Sequence, residues 1–132
     1  MLLAIDIGNS LVHAGVFDGS RLATTVRVAS DTRRLADEYG LTLASILRLK
    51  GIDPSQITAA CLCSVVPPLT VVLDQVCRSF FNVTPLIVTA GVRTGLRILY
   101  DNPRDVGADR IVDAVAANEF GGSKWAVIMA DL

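Results

Sequence analysis

The first 30 residues alternate apolar runs with short polar breaks. LLAIDI at 2–7, LVHAGVF at 11–17 and RLATTVRV at 21–28 have the length and β-branched content of strands. Gly8-Asn9-Ser10 separates the first two, and the DGS triplet at 18–20 is a glycine-containing hairpin turn. The pattern predicts an antiparallel meander. From Thr32 to about Leu49 the period becomes helical, with Leu35, Tyr39, Leu43, Ile46 and Leu47 on one face, and Gly51 stops the helix. ITAACLCSV at 57–65 reads as a buried strand, and the prolines of VPPLTVVLDQVCRSFF at 66–81 stand where they open a helix.

Further on, TPLIVT at 84–89 predicts another strand, and residues 91–110 form a polar loop punctuated by glycine and proline. DRIVDAVAANEF at 109–120 predicts a helix with Ile111, Val112, Val115 and Ala116 on one face. KWAVIMADL at 124–132 predicts a last, continuously apolar strand. Three strands followed by alternating helices and strands give an α/β fold with a mixed sheet. No repeat or interdomain linker interrupts it, so residues 1–132 read as a single domain, long enough to bury a core.

Composition narrows the function classes. Apolar residues make up 52% of the chain and charged ones 19%, which excludes a disordered chain. A net charge of −1 without a long run of one sign argues against a nucleic-acid partner. No apolar stretch approaches the ~20 residues of a membrane span. No basic segment precedes the first apolar run, and Asp6 interrupts it, so no signal peptide is expected and the location reads as cytoplasmic. Cys61, Cys63 and Cys77 lie in apolar surroundings and read as buried thiols rather than a metal or redox set.

Two stretches carry candidate chemistry. Asp6 ends a strand two residues before a glycine, and the amides of that turn, the Asn9 side chain and the Ser10 hydroxyl can all donate to phosphate oxygens. A carboxylate beside them is compatible with phosphate when a divalent cation lies between, which makes Asp6 a magnesium ligand. The same residues also suit a plain turn, with Asp6 capping it and Gly8-Asn9 supplying positive backbone angles. In YDNPRDVGADRI at 100–111, Asp109 and Arg110 stand at the start of a helix. Asp109 there can take a proton from a bound alcohol, and Arg110 can hold a substrate carboxylate. Equally, Asp105 or Asp109 can serve as a helix cap, with Arg110 paired to a neighbour. Asp131, at the end of the last strand, repeats the setting of Asp6. His13, the only histidine, reads first as a structural residue, and Trp125 as core or interface.

The order D-x-G-N-[ST], then SVVPP, then YDNPxxVGADR and a strand ending in Asp resembles the type III pantothenate kinases. These belong to the sugar kinase, heat-shock cognate and actin superfamily. The resemblance runs the length of the chain and covers the first half of the family's pattern. It implies a ribonuclease H-like, actin-like ATPase domain. Residues 1–132 would be the N-terminal domain, and about 124–132 would begin a second. It implies ATP and pantothenate as substrates, with phosphate passing to the pantothenate hydroxyl in the first step of coenzyme A synthesis. Asp6, Ile7, Gly8, Asn9, Ser10, Leu11, Val12 and His13 would form the first phosphate loop, with Asp6 near Mg2+. Tyr100, Gly107, Ala108, Asp109 and Arg110 would hold pantothenate, with Asp109 the general base. Asp131 would help hold a monovalent cation, K+ or NH4+, and the protein would work as a homodimer.

Position 10 is Ser where the family usually has Thr, which keeps the hydroxyl. The family's second phosphate loop and adenosine pocket would follow Leu132. The expected activity is an ATP-dependent pantothenate kinase; the alternatives are a non-catalytic regulatory or binding relative with the same fold, or a superfamily kinase with another acceptor.

Overall fold

The computed structural model describes residues 1–121. The chain folds as two compact units, one spanning Met1–Ile87 and a second that begins at Val88. The first unit is a five-stranded sheet with two helices. β1 (Leu2–Ile7), β2 (Leu11–Asp18) and β3 (Arg21–Ala29) form the expected meander; α1 (Ala36–Leu49), β4 (Ala59–Ser64), α2 (Pro67–Phe80) and β5 (Leu86–Ile87) follow. The sheet order is β3-β2-β1-β4-β5. The β1–β2 and β2–β3 pairs are antiparallel, and the β1–β4 and β4–β5 pairs are parallel.

Period-two patterning decides which face is covered. Leu3, Ile5 and Ile7 of β1, Val12, Ala14 and Val16 of β2 and Leu62 of β4 are buried with Tyr39, Leu43 and Leu47 of α1 and Leu69, Leu73 and Val76 of α2. Each fully buried Leu or Ile contributes roughly 1.5–3 kcal/mol, so this layer is what fixes the register of β1 and β2. Of the alternate residues, which face the other way, Asp6 and His13 are exposed.

Helix α1 starts later than its periodicity predicts. Leu35, read as a core position, precedes the helix and is 68% exposed. Residues 32–34 are spent instead on a turn in which the Asp31 carboxylate accepts the Arg33 N–H at 2.9 Å. Glu38 then reaches back to accept the Leu35 N–H at 2.7 Å, one half of a capping box. α2 begins as predicted, with Pro67 and Pro68 in its first turn. β4 is shorter than the apolar run, because Pro54–Gln56 form a 3-10 turn and Ile57 turns inward ahead of the strand. β5 shrinks to two residues, both exposed. In the second unit a 3-10 turn at Pro103–Asp105 precedes α3 (Ala108–Gly121). On α3 Ile111 is buried and Val112 and Val115 are half-buried, but Ala116, expected on the same face, is exposed. The predicted strand at 124–132, with Trp125 and Asp131, lies outside the described residues.

Candidate functional site

β1 and β4 are parallel neighbours, so the loops after both strands emerge at one edge of the sheet, the position where open α/β sheets bind ligands. Residues 8–10 follow β1 at that edge. The Gly8 N–H donates to the Leu11 carbonyl at 2.9 Å, closing a tight turn. Gly8 and Asn9 do not carry positive φ; among the described residues only Gly19, Gly51, Gly95 and Asn82 do. The left-handed turn that could have explained the sequence is therefore not what it builds. Glycine at position 8 is instead favoured by space, since a Cβ there would stand 3.2 Å from the Leu11 carbonyl oxygen. Asn9 and Ser10 are exposed, and their N–H groups donate to no group among the described residues. They are open to an anion.

Strand register adds a feature that linear reading missed. Asp6 pairs with His13 of β2 and with Cys63 of β4, and His13 pairs with Arg27 of β3. Directly paired residues share a face, with Cβ atoms about 5 Å apart in antiparallel pairs. Asp6, His13 and Arg27 thus form one row of exposed residues across the sheet beside the loop, and the buried Cys63 of β4 continues it. His13 stands between a carboxylate and a guanidinium, which gives its place in the motif a reason beyond filling a strand. Arg27 carried no signal in the sequence, because it meets the row only through β2–β3 pairing.

The loop after β4 completes this edge. The Ser64 hydroxyl accepts the Val66 N–H at 3.0 Å, and the Val65 N–H donates to the Ile7 carbonyl at 3.1 Å. SVVPP is thereby tied to the last residue of β1 and opens α2 beside it. A separate cleft of about 280 Å³ next to β3 is lined by Thr25, Val26, Arg27, Ile46 and Lys50 and holds none of the predicted loop residues.

In the second unit, Ala108, Asp109 and Arg110 lie on the first turn of α3, with Gly107 just before it and Tyr100 ahead of the 3-10 turn. Asn102 accepts the Arg104 N–H at 3.3 Å, and its side-chain amide donates to the Asp105 carboxylate at 3.1 Å. Asp105 is therefore committed to Asn102. Asp109 Oδ1 accepts the Arg110 N–H at 2.9 Å, folding its carboxylate back over Gly107. A Cβ at position 107 would lie 2.6 Å from that oxygen, so only glycine leaves Asp109 where it is. Arg110 is exposed and makes no ion pair among the described residues, and Tyr100 is exposed on the loop before. Ala108 is half-buried at the start of the helix.

No group of three or more His, Cys, Asp or Glu side chains among the described residues could hold a metal ion by itself. Mg2+ keeps its waters and takes one or two carboxylates plus substrate phosphates, so a carboxylate at the end of β1 beside open amides suits it. Asp6 fits that role.

A mixed sheet in which an antiparallel meander is followed by parallel strands places the chain in the actin-like ATPase fold class. Solved structures agree at the level of fold. A ROK hexokinase from Thermus thermophilus is similar over 67% of this chain and 36% of its own, with a TM-score of 0.51 and 18% identity. An N-acetylglucosamine kinase, described as putative, from Porphyromonas gingivalis is similar over 71% and 37%, with a TM-score of 0.50 and 15% identity.

The sequence comparison is narrower. The type III pantothenate kinase family model matches residues 2–132, and the chain belongs to that family. Curated type III pantothenate kinases from Pelobacter propionicus and Myxococcus xanthus are 50% and 51% identical over 119 residues, 90% of this chain. That of Geobacter sulfurreducens is 50% identical over the same share. The chain spans about half the length of these relatives, 46–47%.

Proposed function

We propose that this chain supplies the first phosphate loop and the acceptor-binding motif of an ATP-dependent pantothenate kinase. The observation that carries the reading is the family match over residues 2–132, which spans both motifs. In this reading residues 6–13 receive the phosphates of ATP, with the Asn9 and Ser10 amides and the Ser10 hydroxyl as donors. Asp6 would hold Mg2+, which when bound offsets charge on the phosphate oxygens.

Tyr100, Gly107, Ala108 and Arg110 would hold pantothenate, with Arg110 taking its carboxylate in bidentate fashion. Asp109 accepts the proton of the pantothenate hydroxyl as that oxygen attacks the γ-phosphorus, and ADP leaves with the pair of electrons of the broken P–O bond. The monovalent cation, K+ or NH4+, with Asp131 as its ligand, belongs to the same proposal. So do the homodimer, the cytoplasmic location, and residues 1–132 as an N-terminal domain with 124–132 beginning a second. Among the described residues no helix is long and apolar enough to cross a membrane.

The test is pantothenate-dependent release of ADP from ATP with Mg2+, with and without K+. Turnover that needs pantothenate and rises with K+ is the expected result. ADP release no greater than without pantothenate overturns the catalytic reading for this chain; titration with pantothenate and Mg·ATP then decides whether it binds without turnover.

A further inference from the structure

We infer that Ser30, which no motif includes, is a positioning residue that aims the amides of the Gly8-Asn9-Ser10 loop, an inference that rests on reading this loop as a phosphate site. Ser30 holds the loop twice. Its hydroxyl donates to the Gly8 carbonyl at 2.7 Å, and its main-chain N–H donates to the Ser10 carbonyl at 2.9 Å. In a trans peptide the C=O and the following N–H point in opposite directions. Anchoring the Gly8 carbonyl on Ser30 therefore turns the Asn9 N–H away from Ser30, and that N–H donates to nothing among the described residues.

Ser30 is itself fixed from both sides by one buried side chain. The Tyr39 hydroxyl accepts the Asp31 N–H at 2.8 Å and donates to the Ala29 carbonyl at 3.0 Å, with the Asp31 carbonyl at 3.3 Å as a second acceptor. Tyr39 is wholly buried in α1, among the largest side chains of the core. The line from core to loop is thus Tyr39, the Ala29–Asp31 backbone, Ser30, and then the Gly8 and Ser10 carbonyls. A turn of three residues between strands has little stiffness of its own, and a phosphate site needs its donors fixed before the ligand arrives. Ser30 supplies that stiffness from outside the motif, 22 residues away in sequence.

The test compares the chain with Ser30→Ala and Ser30→Thr, by calorimetric titration with Mg·ATP and by hydrogen exchange at the Gly8 amide, with the urea midpoint as a control for folding. Losing one such hydrogen bond should weaken Mg·ATP binding about fivefold and speed Gly8 exchange by a similar factor. Ser30→Thr, which keeps the hydroxyl, should restore both. Unchanged exchange, faster exchange with unchanged affinity, or a failure of threonine to restore either one overturns the inference. If the unmodified chain binds no Mg·ATP, the phosphate reading fails, and Gly8 exchange alone then decides whether Ser30 clamps the loop. Should Ser30→Ala not fold, Tyr39→Phe, which releases both flanks of Ser30 but leaves its hydroxyl, is expected to speed Gly8 exchange, and no change would overturn the inference.

Discussion

The two motifs are held in different ways. The Gly8–Ser10 loop is bound by residues far away in sequence: Ser30 holds its carbonyls, Val65 holds Ile7, and paired strands place Asp6 and His13. Every hydrogen bond described for the Asn102–Arg110 segment stays within four residues, from Asn102 to Asp105, Arg104 to Asn102, and Arg110 to Asp109. A segment held only by local bonds opens at a lower free energy than one tied to a core. The Gly8–Ser10 loop is tied to the core of the free protein, whereas the bonds described for the Asn102–Arg110 segment are local; on the proposed function, a bound substrate would reinforce the latter.

The sharpest test of this contrast is Asp109→Asn. Asparagine keeps an oxygen to accept the Arg110 N–H, so the local turn survives while the carboxylate proposed as proton acceptor is lost. Removing a general base should cut kcat by roughly 10²–10⁴-fold, with pantothenate affinity and the urea midpoint nearly unchanged. The rate comes from pantothenate-dependent ADP release and the midpoint from circular dichroism. Retention of most of the rate would show that the carboxylate shapes the helix start and nothing more.

A smaller effect is expected from Gly40→Ala, which acts on the other side of the comparison. Gly40 lies on α1 next to Tyr39, and a Cβ there would run into the ring of Phe80 on α2. Overpacking of this kind costs about 1–3 kcal/mol, less the ~1 kcal/mol by which alanine favours a helix over glycine. The urea midpoint should fall, and exchange at Gly8 should quicken, because the loop is tied to Tyr39 through Ser30. The Asp105 and Val106 amides, bonded only to Asn102 and Pro103, should keep their exchange rates. Equal changes at both places would mean that the Asn102–Arg110 segment depends on the α1–α2 packing as much as the loop does.

The sequence carries the parts of this picture that are local. Alternation marked β1 to β3, the prolines marked the start of α2, and both motifs lie in continuous stretches where spacing alone brings the groups together. What it hid depends on pairing between distant residues. Leu35 fits the helical period, yet the Asp31–Arg33 turn takes up the residues before it and Glu38 caps behind it. Arg27 joins the Asp6–His13 row only through the β2–β3 register, and Ser30 meets the loop only because β3 ends beside it. TPLIVT has strand composition, but only Leu86 and Ile87 pair with β4, so its hydrophobicity overstated its sheet. Each of these is decided by which strand lies next to which, and no window along the chain contains that information.

The mildest prediction isolates the core that supports the loop. Cys77 is buried in α2, and burial, with the Asp74 carboxylate and the Cys61 thiol adding to it and Arg78 opposing, pushes its thiol from an ordinary 9.0 up to about 12. The folded protein then keeps a proton that the unfolded chain gives up, so stability is unaffected below about pH 9 and falls as the pH rises from there toward 12. Burial raises Cys61 in the same direction. At pH 8 iodoacetamide should therefore reach Cys77 only when the α1–α2 layer opens, as read by mass spectrometry. Gly40→Ala should speed that labelling by the factor by which it lowers stability, whereas Asp109→Asn should leave it unchanged. Rapid labelling of the unmodified protein at pH 8 would mean that α2 opens without the rest of the core, and the stiffness of the Gly8–Ser10 loop would then have to rest on the strands and Ser30 without the helix layer behind them.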